Sequence, residues 1–288
     1  MMAAPPLPIT LTRYGRRYRQ AVRDLMFRSQ QVHTHLDWYE TDHWLNDTTA
    51  PIHLAWQRGR LAGLLAASAP LSQTSWIRLA AVHDHLSPEP VLHALWNALD
   101  ADLRALRVEW VALLILRDWI APLLPALGFS YLEEVVTLRR ASRSLPDPAR
   151  SDLRIRSFVP ADLDAITRLD QSAFASPWQL SAEEIRQATR MAAVCTVALL
   201  DETIVGYQLS TFYYEGGHLA RLAVLPDAQG TGVGSVLLND LIHRFARRGI
   251  YGITVNTQST NHRSKRLYTR FDFHPTGYNL PVWMAGLK

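Results

Sequence analysis

Gln229-Gly-Thr-Gly-Val-Gly-Ser235 lies between an apolar run, Leu222–Val224, and an amphipathic stretch, Val236–Arg248. The order is therefore strand, glycine turn, helix. Gly230, Gly232 and Gly234 carry no Cβ, so backbone N–H groups can converge on the positive end of the helix, and that is a site for an anion. A pyrophosphate is the expected guest. Working outward, Leu153–Phe158 reads as a strand, and Pro160–Phe174 and Ser181–Ala192 as helices. Val194–Leu200 and Thr203–Tyr213 form a hairpin, Leu219–Val224 is the strand before the turn, and Ile250–Asn256, an Arg263–Arg270 helix and a terminal strand follow. Helices interspersed with strands in this order predict an α/β fold, a mixed sheet with helices on both faces.

Two familiar phosphate cradles are excluded. A Walker loop needs a lysine after its last glycine, where this chain has Ser235 and Val236. A dinucleotide fingerprint reads Gly-x-Gly-x-x-Gly with a carboxylate about 20 residues on. Here the spacing is Gly-x-Gly-x-Gly, and His and Arg lie downstream. What remains, Gln-x-x-Gly-x-Gly over Gln229–Gly234, resembles the turn by which the GNAT superfamily of acyl-CoA N-acyltransferases holds the CoA pyrophosphate. Asn261-His-Arg-Ser-Lys-Arg-Leu-Tyr268, then Phe271-Asp-Phe273, is similar to the family's Asn-x-x-Ala/Ser-x-x-Leu-Tyr-x-x-x-Gly-Phe segment. Asp272 stands where glycine is usual, so a locally different helix exit is expected there. Leu219–Val224 matches the strand that pairs with the pantetheine amides, and Ala173-Phe-Ala-Ser-Pro-Trp178 resembles a segment of bacterial ribosomal-protein alanine acetyltransferases. The resemblance spans about residues 153–284, four motifs in the family's order.

Composition sets wider bounds. The 288 residues are 48% hydrophobic and 19% charged, enough for two soluble domains with a core each. The single cysteine, Cys195, rules out an intramolecular disulfide and lies in an apolar run, which reads as a buried thiol rather than a nucleophile. Met1–Thr10 has no basic region followed by an apolar stretch, and no apolar run reaches about 18 residues, so neither a signal peptide nor a membrane span is expected. The expected address is cytoplasmic. Net charge is +4, with basic clusters at Arg13–Arg19 and Arg263–Arg270. No contiguous basic face with interleaved aromatics is evident, so no nucleic-acid partner is expected and both clusters read as solvated helix faces. Arg263, Lys265, Arg266 and Arg270 could also attract the CoA phosphates.

The chain repeats itself. Arg78-Leu-Ala-Ala-Val parallels Arg221-Leu-Ala-Val, and Gly63 parallels Gly206, both at an offset of 143 residues. Gly128-Phe129 parallels Asp272-Phe273 at 144. Two copies of one fold are therefore expected: 1–140 as a degenerate GNAT-like domain, 141–151 as linker and 152–288 as the catalytic domain. Opposite the glycine turn the first copy has Leu86-Ser-Pro-Glu-Pro-Val91, with two prolines lacking N–H donors and a carboxylate that repels phosphate. Nor is there a tyrosine opposite Tyr268, where Ala121-Pro-Leu-Leu-Pro-Ala-Leu127 stands. Seven of the nine tryptophans fall in this first half and read mostly as core. Tandem proteins with one worn half, such as mycothiol synthases, are similar in architecture.

The resemblance assigns roles. Backbone N–H groups of Leu222, Ala223 and Val224 meet the pantetheine arm and carbonyl; Gln229, Gly230, Thr231, Gly232, Val233, Gly234 and Ser235 form the pyrophosphate turn. Asn261 is a cofactor contact and also suits a helix cap. Tyr268, seven residues after Asn261, occupies the position from which a tyrosine hydroxyl protonates the departing thiolate. The alanine acetyltransferases use a Glu twelve residues before that tyrosine, and here Asn256 stands in its place, which cannot accept a proton. His218 is the expected base, six residues before Val224, where serotonin N-acetyltransferases place an active-site histidine; imidazole titrates near neutral pH. Alternatives are Glu215, a surface role for His218, and no base at all.

The expected function is acetyl-CoA-dependent transfer to a primary amine, by direct attack in a ternary complex. The acceptor is a small molecule or a protein N-terminus or lysine, and the protein a monomer or homodimer without a membrane partner. A CoA-binding regulatory protein with little catalysis is the competing class. No metal is expected, because His33, His35 and His43 beside Asp37, Glu40 and Asp42 lack a ligand spacing and read as a solvated loop. No Gly-x-Ser-x-Gly elbow is present.

Overall fold

The computed structural model of the chain describes residues 8–47, 49–147, 152–213 and 216–287. Two compact units emerge, Met1–Leu132 with Leu280–Lys288, and Glu133–Asn279. In chain order the elements are β1 (Thr10–Arg13), α1 (Arg19–Arg28), β2 (Val32–Thr34), α2 (Thr41–Asp47), β3 (Ile52–Gln57), β4 (Arg60–Ala67), β5 (Thr74–Val82), α3 (Pro88–Ala105), β6 (Trp110–Leu114) and β7 (Ser130–Arg140). Then come β8 (Arg154–Ser157), α4 (Leu163–Ala173), α5 (Ala182–Met191), β9 (Val194–Leu200), β10 (Thr203–Tyr213), β11 (Gly216–Val224), α6 (Val233–Ala246), β12 (Ile253–Gln258), α7 (His262–Arg270) and β13 (His274–Gly286). No described helix is long and apolar enough to cross a membrane.

In the first unit β1, β3, β4, β5 and β6 lie side by side in that order, with β2 paired to β5. Period-two alternation splits its apolar residues between two helical layers. Leu92, Leu95, Leu99 and Leu103 of α3 bury against Ala55, Leu65 and Ile77, while Val22 and Leu25 of α1 bury against Leu54, Leu64 and Leu79. The second unit repeats the plan with the order β12, β11, β10, β9, β8. Leu238, Leu241 and Phe245 of α6 cover Leu219, Ile253 and Val255; α4 packs on β10 and β11 from within the same unit, and α5 on β10. Ser181 starts α5 with a capping box, its hydroxyl accepting from Glu184 N–H while the Glu184 carboxylate accepts from Ser181 N–H.

The repeat is visible in atomic packing. A Cβ on Gly63 would meet Val91 Cγ1 at 2.5 Å, Ala81 O at 3.0 Å and Leu95 Cδ1 at 3.2 Å. A Cβ on Gly206 would meet Val233 Cγ1 at 2.8 Å, Ala223 O at 3.1 Å and Leu237 Cδ1 at 3.1 Å. Each glycine lets a helix approach its strand at the same place, so the two halves share one tandem architecture.

Three expectations change. The residues divide into units differently from the sequence division at 141–151: Val135–Arg140 of β7 pair with Gln258–Ile253 of β12, within the second unit. Val282–Gly286 of β13 pair with Leu114–Trp110 of β6, within the first. An apolar strand announces itself in sequence, but the partner that satisfies its backbone does not. Second, His33 and His35 are not solvated: they sit on or beside β2 at 0% and 7% exposure. Third, the exit of α7 keeps the left-handed turn that glycine would give, since Asp272 adopts φ +66°. Aspartate tolerates that region better than most residues, and Phe273 N–H still closes on Tyr268 O at 3.1 Å.

Candidate active site

The parallel pairing of β11 with β12 covers only Gly217–Leu219 against Ile253–Val255. Immediately beyond, β11 has a bulge where its register with β10 shifts between Leu209 and Ser210. A bulge bends and twists its strand, so β11 follows β10 to Val224 while β12 stays with β7. The edge of β11 from Arg221 to Val224 that turns away from β10 thus has no strand partner among the described residues.

The glycine turn continues from this edge. Gln229 donates from Nε2 to Val224 O at 3.1 Å, which ties the turn back to the strand end. Gly230 and Gly232 take φ of +88° and +102°, conformations that cost other residues strain, and a Cβ on either would meet nothing within 4 Å. The first hydrogen bond of α6 runs from Val236 N–H to Gly232 O. Val233, Gly234 and Ser235 N–H therefore have no partner inside the helix and point at its positive end. Gly234 serves packing instead: its Cβ would lie 3.2 Å from Leu267 of α7.

Edge and turn line one cleft of about 600 Å³. Leu222, Ala223, Val224, Gln229, Gly230, Gly232, Gly234, Ser235 and Asn261 all border it. Phe174 closes one side, and Arg263, Arg266 and Arg270 of α7 bring positive charge. Arg263 donates to Gln229 Oε1 and Arg270 to Ser235 Oγ at 3.5 Å. Lys265 turns away to Ser259 O. Asn261 caps α7, accepting from Ser264 N–H at 3.0 Å, while bordering the cleft. Open backbone at a helix start, glycines without neighbours and three guanidinium groups fit an extended polyanion such as CoA.

Four predicted residues do not border the cleft. Thr231 bonds to Ala228 O, and Val233 is buried behind the turn against Gly206. His218 lies at the closed end of the β11–β12 pairing, its Nδ1 2.9 Å from Thr254 Oγ1. Tyr268 is 4% exposed and packs against Phe273 at 5.8 Å between ring centres. Its hydroxyl makes no hydrogen bond among the described residues. Burial pushes its pKa well above the ordinary phenol value, with Arg221 pulling against that shift. Glu215 falls outside the described residues. Asn256 Oδ1 accepts from Thr137 Oγ1 at 2.9 Å. Burial pushes the Cys195 thiol up to about 12, so it holds no thiolate at neutral pH. Among the described residues no three His, Cys, Asp or Glu side chains are grouped to share a metal.

Sequence reasoning missed a buried polar network behind the cleft. Arg221 makes a bidentate pair with the fully buried Asp170 of α4, donates to Trp178 O at 2.7 Å, and lies 3.6 Å over the Phe174 ring. Tyr207 donates to Asp170 Oδ2 at 2.6 Å. The one available signal was Arg221, a charged residue inside the apolar run Leu219–Val224; Asp170 sits in the polar stretch Thr167–Ser172 and gave none.

The family model described as the acetyltransferase (GNAT) family matches residues 163–273, the stretch holding every element of this cleft. The chain belongs to that family, as an N-acyltransferase. It is 31% identical over 121 residues to an uncharacterised N-acetyltransferase of Methanocaldococcus jannaschii, covering 41% of this chain and 76% of that protein. It is also 23% identical over 120 residues to the ribosomal protein bS18 alanine N-acetyltransferase of Haemophilus influenzae, covering 42% of this chain and 80% of that one. A tandem GNAT protein from the clavulanic acid biosynthesis pathway shares the whole fold, with a TM-score of 0.67 over 98% of this chain and 99% of that chain at 13% identity.

Proposed function

We propose that this protein is an acetyl-CoA-dependent N-acetyltransferase that acylates a primary amine by direct attack in a ternary complex. The observation that carries the reading is the single cleft joining the unpaired edge of β11 to the open glycine turn of α6. Bound acetyl-CoA supplies an activated acetyl group as a thioester. The N–H groups of Gly230–Ser235 and the arginines of α7 would hold its phosphates, and those of Leu222–Val224 the pantetheine arm and the thioester carbonyl. Tyr268, kept protonated by burial, serves as the proton donor for the leaving sulfur. His218 is the proposed base, reached through water from the closed end of the strand pair. With Cys195 protonated, no acyl-enzyme is needed.

The first unit lacks such a site in this reading. α3 begins Pro88-Glu-Pro90 where α6 begins after glycine, so its start offers fewer N–H donors and an adverse charge. One CoA site per chain follows.

A small amine and a protein N-terminus both satisfy this chemistry. The competing proposal, a CoA-binding regulatory protein, is favoured by Asn256, whose amide is engaged with Thr137 and accepts no proton. Thiol release from acetyl-CoA over a broad amine panel separates the classes, with Tyr268→Phe as control. Tight CoA binding without amine-dependent thiol release would defeat the enzyme reading, and absence of CoA binding would defeat both.

A further inference from the structure

On the face of the β7–β12 pair that carries Thr137 and Asn256, the polar residues are Glu133, Thr137 and Arg139 of β7 and Thr254, Asn256 and Gln258 of β12, with Thr260 just past the end of β12. Period-two alternation places Glu133 and Thr137 on one side of β7, and the hydroxyl of Thr137 meets Asn256 there. The opposite side of β12 holds Ile253 and Val255, buried under α6. At the end of this face Glu133 accepts two hydrogen bonds, from Thr260 Oγ1 to Oε2 at 2.6 Å and from Trp178 Nε1 to Oε1 at 3.2 Å. Glu133 and its two donors do not themselves line the cleft, but both donors adjoin residues that do. Thr260 immediately precedes Asn261, which borders it, and Trp178 follows Phe174, which closes its side.

The charges nearby differ in one respect. Arg221 is neutralised by Asp170 and also donates to Trp178 O. Glu133 receives only neutral donors, and no cation pairs with it among the described residues. A carboxylate offers about four acceptor sites, of which two are filled here. A half-buried, oriented carboxylate with free acceptor capacity is suited to an ammonium group, because a charged donor gains most from it.

We propose that Glu133 receives the ammonium of the acceptor, so that the substrate is a cationic alkylamine, held by a strand that belongs in sequence to the first repeat. This rests on the transferase reading above. Trp178 and Thr260 orient the carboxylate, and Arg221, fixed by Asp170, orients Trp178 in turn. Substrate recognition in the second unit then requires residues before position 141, and the search for a carboxylate along β12 itself would not find it.

The test is steady-state kinetics of Glu133→Gln on the full chain, with acetyl-CoA and two acceptors: a primary alkylamine, cationic at pH 7, and an arylamine, neutral at pH 7. The expected result is a rise in alkylamine KM of about tenfold to a hundredfold, the worth of a hydrogen bond between charged groups. KM for acetyl-CoA and for the arylamine should stay within about twofold. Glu133→Asp keeps the charge with a shorter reach, so it should retain the preference for the cation, and it carries the test if the Gln variant does not fold. An unchanged alkylamine KM in Glu133→Gln, or an equal rise for both amines and acetyl-CoA, overturns the proposal while leaving the transferase reading intact. Wild-type protein that transfers to no amine overturns both.

Discussion

Arg221 grips Asp170 through two hydrogen bonds of 2.7 Å, Nε to Oδ2 and Nη2 to Oδ1, and the carboxylate is wholly buried. The pair links β11 to α4 across 51 residues of chain, directly behind the cleft wall formed by Phe174. Burying two charges costs several kcal/mol each, offset here by the fork geometry and by the Tyr207 and Trp178 bonds. Removing one partner is the severe change. Asp170→Ala should destabilise the protein by roughly 3–5 kcal/mol in urea unfolding, because Arg221 is left charged and unpaired. Asp170→Leu combined with Arg221→Met should cost clearly less than Asp170→Ala alone. Additive losses would show that the pair does not act as a unit.

Tyr268 gives a sharper kinetic prediction. A buried phenol with a raised pKa stays protonated through the whole working range, so in the proposed role it would still have a proton to give at alkaline pH. Tyr268→Phe should lower kcat by about a hundredfold or more, the usual worth of a positioned proton donor. KM for acetyl-CoA should change little. The wild-type rate should show no alkaline fall assignable to tyrosine below about pH 10, the ordinary phenol value. A fall that Tyr268→Phe abolishes would contradict the assignment.

Much of this was legible in sequence because it is local. The turn at Gln229–Ser235, the cap at Asn261 and the hairpin β9–β10 each depend on residues a few positions apart, where Cβ sterics and side-chain reach decide the backbone. The repeat was legible because Gly63 and Gly206 answer the same packing demand. What stayed hidden is non-local. β7 and β13 read as strands, but a strand's hydrogen bonds do not name their partner. Glu133 looked like part of the first repeat, yet its side chain meets Thr260 and Trp178 of the second unit. The loop of histidines read as solvated because polar residues usually are, and nothing in Val32–Asp37 says that a strand of the first unit would bury it.

Gly232 tests the anion cradle. At φ +102° any L side chain is strained, and the open space around it means that strain, not collision, is the cost. Gly232→Ala should destabilise the fold by about 1–2 kcal/mol, the left-handed penalty for an alanine, or shift the turn to relieve it. Either way the N–H groups at the start of α6 lose their alignment. Calorimetry should show CoA binding weakened by about tenfold, equal to about 1.4 kcal/mol. A variant of equal CoA affinity would mean that the turn does not hold the phosphates.

His33 makes stability depend on acid. It is fully buried on β2, where the Ile77 backbone is near enough to favour the charged ring slightly but no well-formed hydrogen bond reaches either ring nitrogen. Burial first, and the neighbouring charge of His35 second, lower its pKa to about 3. Asp37, 3.4 Å from His35 and 3.5 Å from Arg78, balances part of that positive charge. Above pH 6.5 the histidine is neutral in both folded and unfolded chains, and the group has no effect on stability. As pH falls below 6.5 the unfolded chain takes up a proton that the folded one refuses until about 3, so stability declines through that window. The slope from one such group is at most about 1.4 kcal/mol per pH unit, which gives roughly 2 kcal/mol between pH 6.5 and 5. Melting of wild type and His33→Leu across pH 7.5 to 5 provides the check. The wild-type curve should fall more steeply, with the two diverging below pH 6.5; parallel curves would show that His33 does not carry the acid sensitivity.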